Sequence, residues 1–182
     1  YVFPILRYHS RFQSLTEEDI TYLFQEKDNT FNGYLMKKEV RPVEKLPAKR
    51  PLPSYDFGEI CYDYLEKMTS LCKEQGVELI LIKAPSLYPY WYEEQDAQIR
   101  DFAQKHSLSY YDLTKEIESI GLDFTQDTYD AGLHLNLSGA TKLSGYFARI
   151  LTQDHGIPDR RSDEEIRAVY DEKLRLYDEA AK

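Results

Sequence analysis

Residues Val77 to Ile82 form a nearly continuous aliphatic run of strand length, and they follow Gly76 directly. A strand so uniformly apolar belongs in a sheet covered on both faces, which points to parallel strands flanked by helices. The segment before it supplies one helix. From Ser54 onward Phe57, Ile60, Cys61, Tyr64, Leu65, Met68, Leu71 and Cys72 recur at three- and four-residue steps, the period of an amphipathic helix that stops at Gly76. The unit then repeats. Ile99, Phe102 and Ala103 mark a helix over residues 92–105, and Leu108-Ser109-Tyr110-Tyr111-Asp112-Leu113 reads as the next strand. Two βα units with right-handed crossovers make this an α/β chain.

With 182 residues, 42% of them hydrophobic, the chain can bury one substantial core and is the size of one domain. Three stretches divide it. Residues 1–53 hold a short helix, announced by Thr16-Glu17-Glu18-Asp19 before Ile20, Leu23 and Phe24, and then an extended surface loop with Pro42, Pro47, Pro51, Pro53 and a cluster of lysines and arginines. Residues 54–155 carry the α/β core. Residues 156–182 end in an amphipathic helix, with Ser162-Asp163-Glu164-Glu165 as its capping box. Cys61 and Cys72, eleven residues apart on one helix, lie roughly 16 Å from each other and cannot pair; both fall on its apolar side and are expected in the core.

The net charge of −9 works against the phosphate neutralisation that drives nucleic-acid binding, and against anionic membrane surfaces. No run of about 20 apolar residues and no basic-then-apolar leader occurs. Because the chain opens inside the apolar stretch Tyr1-Val2-Phe3-Pro4-Ile5-Leu6, a further segment upstream is expected.

The chemistry gathers at Asp130-Ala131-Gly132-Leu133-His134, a turn just ahead of a helix opened by Ser138-Gly139-Ala140 with Leu143, Phe147, Ile150 and Leu151 on one face. An acid next to an imidazole fixes its tautomer and stabilises its charged form, so that the other ring nitrogen can take a proton from a hydroxyl nucleophile. His134 is the candidate base. Asp130 is its candidate partner, with Asp127 as the alternative. Asn136 and Ser138 are expected to cap the helix. Ser86, just past the aliphatic strand, is a candidate pocket residue, and Tyr88, Tyr90, Trp91 and Tyr92 can either stack on sugar rings or cover the core. Arg11 is a candidate for an anionic or sugar group, and Ser10 is a weak substitute nucleophile because no strand-to-helix elbow surrounds it. Asp112, at a strand end, reads as a turn cap, with a pocket-lining role as the alternative. Phosphate loops, paired carboxylates at helical spacing and metal-ligand motifs are absent from the sequence, so no cofactor and no metal are expected.

The strand Val77 to Lys83 ending in Ala84-Pro85-Ser86, Trp91 and its helix, Tyr110-Tyr111-Asp112-Leu113, and Asp130 to His134 running into Leu135-Asn136-Leu137-Ser138-Gly139-Ala140 together resemble the second half of SGNH/GDSL-type hydrolases. The resemblance covers about residues 60–154 and is closest to bacterial members concerned with cell-envelope D-alanylation and polysaccharide O-acetylation. It implies a three-layer α/β/α sandwich with a mainly parallel, flavodoxin-like sheet. It also implies a serine nucleophile and hydrolysis or transfer of acyl esters on an envelope carbohydrate. An extracytoplasmic site, an upstream membrane anchor and a membrane acyltransferase partner belong to the same set of implications. Two departures stand out. Three residues rather than two separate Asp130 from His134, and no Gly-Asp-Ser-like turn after a first strand occurs, so the first strand and the serine are expected to lie outside this chain. A non-catalytic carbohydrate- or protein-binding module on a decayed scaffold of this type is the alternative reading.

Overall fold

Gly76, at φ +64°, ends the first helix of the core: its N–H bonds to the Lys73 carbonyl (3.2 Å) and that of Val77 to the Cys72 carbonyl (2.8 Å). This Schellman closure uses a left-handed residue that glycine adopts without steric cost. In the computed structural model, which describes Phe31 and residues 33–182, the order is α1 (Glu59–Glu74), β1 (Ile80–Lys83), α2 (Glu93–His106), β2 (Ser109–Asp112), a 3-10 turn (Leu113–Lys115), α3 (Ile117–Ile120), α4 (Leu137–Gln153) and α5 (Glu164–Ala181). The helix expected over residues 16–24, Ser10 and Arg11 lie outside the described residues. Residues 34–57 run without helix or strand, as the proline-rich composition predicts.

β1 and β2 pair in parallel, Ile80 with Ser109 through Lys83 with Asp112. Successive side chains point to opposite faces, so this register places Leu81 beside Tyr110 on one face and Ile82 beside Tyr111 on the other. Leu81 joins Phe102 and Ala103 in a core completed by Tyr62 and Leu65 of α1 and Ile99 of α2. Tyr111 joins the second core, where Leu113, Ile120, Leu122 and Phe124 meet Leu143, Tyr146 and Phe147 of α4. Helices therefore cover both faces of a parallel pair, which is the α/β class. Two strands are too little sheet to establish the three-layer sandwich.

Several expectations are corrected. The aliphatic run does not form a fully covered strand: Val77 is 57% exposed, β1 starts at Ile80, and Ile82 is 45% exposed, leaving Leu81 the buried member. Val77 is instead occupied in closing α1, and Glu78 turns outward to His155 (2.6 Å). The cysteines are not core residues, since Cys61 is exposed and Cys72 half-buried. α1 is rotated so that Tyr62 and Leu65 face the sheet, and Ile60, Tyr64 and Leu71 are left in solvent. α5 is capped by Asp163 rather than Ser162, its carboxylate accepting from the N–H groups of Glu165 and Ile166. No described helix is long and apolar enough to cross a membrane.

Candidate functional site

The loop between α3 and α4 contains no strand, yet it holds three of the most deeply buried side chains of the described residues, Asp127, Thr128 and Asn136. Polar groups taken out of water must find partners, and here each does. Asp127 accepts from the Asp123 N–H (2.8 Å), Ser138 Oγ (2.7 Å) and Lys142 Nζ (2.6 Å). Asn136 accepts from the Gly139 N–H (3.1 Å), capping α4, and its Nδ2 donates to the carbonyls of Gln126 (2.7 Å) and Glu39 (3.2 Å). Gly139 is dictated by closeness: a Cβ there would sit 2.5 Å from the Asp127 carbonyl oxygen.

An isolated antiparallel bridge between Thr128 and Leu135 draws the ends of residues 129–134 together. Inside it, Thr128 Oγ1 donates to the His134 carbonyl (2.8 Å) and accepts from the Gly132 N–H (2.8 Å). Ala131 and Gly132 are both left-handed, at φ +64° and +88°. At Gly132 a side chain would also crowd Leu87, whose N–H bonds to the Gly132 carbonyl at 2.8 Å. The chain thus reverses within four residues.

The reversal brings Asp130 and His134 together. Asp130 Oδ1 accepts from the His134 N–H (2.7 Å), and Oδ2 lies 2.5 Å from Nδ1 of the ring. Tyr129 stacks on the imidazole, centroids 5.9 Å apart and planes 13° from parallel. Burial pushes the Asp130 carboxyl up, but the His134 ring, its N–H and the Leu133 N–H outweigh this and hold it below the usual carboxylate value. An ionised carboxylate only accepts, so Nδ1 carries the proton, and it is the neutral form of such a ring that presents a lone pair on Nε2. The His134 side chain is 60% exposed, and among the described residues nothing hydrogen-bonds Nε2. Asp127 is not the partner acid, because its oxygens are already taken by Asp123, Ser138 and Lys142.

The other candidates are placed differently. Ser86 stands one residue from Leu87 and so beside the turn, but its hydroxyl accepts from Lys83 Nζ (3.1 Å), and no hydrogen bond joins it to His134. Burial lowers the Lys83 ammonium, and Asp112 opposes the shift. The Trp91 ring is taken up by Phe57 (5.9 Å) and by Lys83 Nζ (5.7 Å), and its Nε1 is buried without a hydrogen bond among the described residues. Asp112 caps the turn after β2, its Oδ1 accepting from the Thr114 N–H (3.1 Å). Asn136 caps α4 as expected, whereas Ser138 serves Asp127. Thr128, Tyr129 and Lys142 are the functional neighbours that sequence reasoning missed; only the positioning of Gly139 one turn past Asn136 hinted at so tight a junction. Among the described residues no group of three His, Cys, Asp or Glu side chains is placed to hold a metal ion.

No family model, curated protein or solved structure matches the chain. The arrangement itself supplies an oriented imidazole at an exposed loop, able to take a proton from a hydroxyl or water brought to Nε2.

Proposed function

We propose that the Asp130–His134 pair is the acid–base half of an SGNH-like esterase or O-acyltransferase acting on acyl esters of a cell-envelope carbohydrate. The observation that carries the reading is the 2.5 Å contact between Asp130 Oδ2 and Nδ1 of a ring whose Nε2 is left open. In this role His134 takes the proton of a serine hydroxyl as its oxygen attacks the ester carbonyl, then returns that proton to the departing alcohol. Asp130 holds the ring and stabilises the imidazolium between the two steps. The serine is proposed to lie outside the described residues, within a mainly parallel three-layer domain to which β1 and β2 contribute.

The experiment is hydrolysis of a chromogenic acetyl ester by the complete protein. His134→Ala is expected to lower the rate by orders of magnitude with the fold unchanged. Unchanged activity in that variant removes the assignment. A second reading, a carbohydrate- or protein-binding module without catalysis, is favoured by one observation: among the described residues no serine, threonine or cysteine side chain bonds to His134 Nε2. Absence of ester cleavage by the complete protein would select it.

A further inference from the structure

Residues 37–50 hold six basic side chains, Lys37, Lys38, Arg41, Lys45, Lys49 and Arg50, against only Glu39 and Glu44, in a chain whose net charge is −9. Elsewhere lysines and arginines such as Arg100, Lys105, Lys115, Lys142 and Arg175 meet carboxylates. None of the six does so among the described residues. Lys37 is half-buried and the other five are exposed.

This basic strap is fixed to the rim of the His134 site by its backbone. The Arg41 N–H donates to the Thr128 carbonyl and the Ala131 N–H to the Arg41 carbonyl, both at 2.9 Å, and the Leu137 N–H donates to the Lys37 carbonyl at 2.6 Å. At its far end Tyr90 Oη donates to the Pro47 carbonyl (2.5 Å) and Tyr92 Oη to the Arg50 carbonyl (2.6 Å). These backbone bonds hold the strap in place, and among the described residues its cations meet no carboxylate. Lys49 lies over aromatic rings, 4.8 Å from the Tyr92 centroid and 6.0 Å from that of Tyr90.

We propose that the strap binds an anionic glycan, a single carbohydrate chain bearing carboxylate or phosphate groups, whose acyl ester is thereby led to His134; this rests on the acyl-ester reading of that site. Fourteen residues without helical compaction can reach up to about 40 Å, a long, narrow line of positive charge suited to a linear polyanion. The strongly acidic remainder of the chain repels any broad anionic surface, such as a bilayer or a nucleic-acid duplex, and leaves only a thin chain free to follow the strap. Tyr88, 44% exposed beside the strap's far end, adds an aromatic edge on which a sugar ring can rest.

The test uses the whole chain and fluorescent probes read by anisotropy: oligogalacturonate for carboxylates, poly(glycerol phosphate) for phosphates, and a neutral malto-oligosaccharide. Binding to one or both anionic carbohydrates is expected, which also tells the two charge sources apart. It should weaken as salt rises from about 50 to 300 mM, because exposed charges are screened. The variant Lys38→Gln/Arg41→Gln/Lys45→Gln/Lys49→Gln/Arg50→Gln should bind at least about tenfold more weakly, while Lys105→Gln/Arg175→Gln binds as the parent does. Equal affinity of the strap variant, or binding to the neutral oligosaccharide at the same strength, overturns the proposal. Tighter binding to poly-glutamate or to phosphatidylglycerol vesicles overturns it in favour of a protein or membrane partner. If the strap variant fails to fold, the salt dependence and the neutral probe still decide the matter on the parent protein. Binding is read without turnover, so strap-dependent binding in a protein that cleaves no ester removes the esterase reading alone, whereas ester cleavage with strap-independent binding removes the strap alone.

Discussion

The loop from Asp123 to Gly139 and the helix α1 oppose each other in an instructive way. α1 is regular over 16 residues, strongly periodic in sequence, and has no buried residue. The loop has no strand and a single isolated bridge, yet Asp127 and Thr128 are fully enclosed and Asn136 nearly so. Regularity and positional constraint are therefore separate properties. In α1 the backbone satisfies itself and the side chains are left loosely committed; in the loop, side chains satisfy the backbone, and each is committed to a particular partner. His134 stands on the second kind of scaffold.

Changes at single residues test this contrast. The largest effect belongs to the pair itself: Asp130→Asn keeps an acceptor for the His134 N–H but loses the carboxylate that holds the Nδ1–H tautomer, and should lower ester turnover by about 1,000- to 10,000-fold with little change in melting temperature. Steady-state kinetics beside a thermal melt decides this. Next comes Gly139→Ala, whose added methyl meets the Asp127 carbonyl oxygen at 2.5 Å within a buried junction. A loss of about 2–3 kcal/mol, or roughly 5–10 °C in Tm, is expected by calorimetry. Thr128→Val removes the hydroxyl that joins the His134 carbonyl and the Gly132 N–H and leaves both unpaired, costing about 1–3 kcal/mol in denaturant unfolding.

The fourth step is acid titration. Burial pushes the Asp127 carboxyl up, but the Asp123 N–H, Lys142 and Ser138 more than offset it, and the group lies below its ordinary value of 3.8. Asp130 is shifted the same way. A folded-state pKa that is depressed contributes stability that is complete above the unfolded value and is lost as the pH falls through the folded one. Melting temperature should therefore drop as the pH is taken below about 4, and the drop should be shallower in Asp127→Asn. The smallest effect is expected in α1, where Ile60→Ser, at a site 71% exposed, should change stability by no more than about 0.5 kcal/mol. A large loss there would show that α1 is covered in solution, and the contrast would fail.

How legible these features were in the sequence follows from the same physics. Period alone revealed α1, α2, α4 and α5, because amphipathic spacing is local, and Asn136 was recognisable as a cap for the same reason. Period could not reveal which part of the apolar stripe on α1 meets the sheet, since Tyr62 and Leu65 are chosen by the position of Leu81 and Phe102, which is a tertiary fact. The acid–histidine pairing could be anticipated, but the choice between Asp127 and Asp130 could not, because it depends on left-handed φ at Ala131 and Gly132 and on Lys142 reaching back from α4. Thr128 was invisible: in an acidic loop a threonine looks solvated, and only the bridge to Leu135 encloses it. Trp91 was legible as aromatic at the edge of β1 but not as a ring already occupied by Phe57 and Lys83.

The central claim is that Asp130 fixes His134 so that Nε2 stands ready as a base. The most direct measurement is the ring nitrogen NMR spectrum of His134 at neutral pH, compared between the parent protein and Asp130→Ala. The account predicts a protonated Nδ1 with a downfield, hydrogen-bonded proton and an unprotonated Nε2 in the parent, and loss of both signatures in the variant. A parent spectrum showing the proton on Nε2, or an averaged ring indistinguishable from that of the variant, would contradict it.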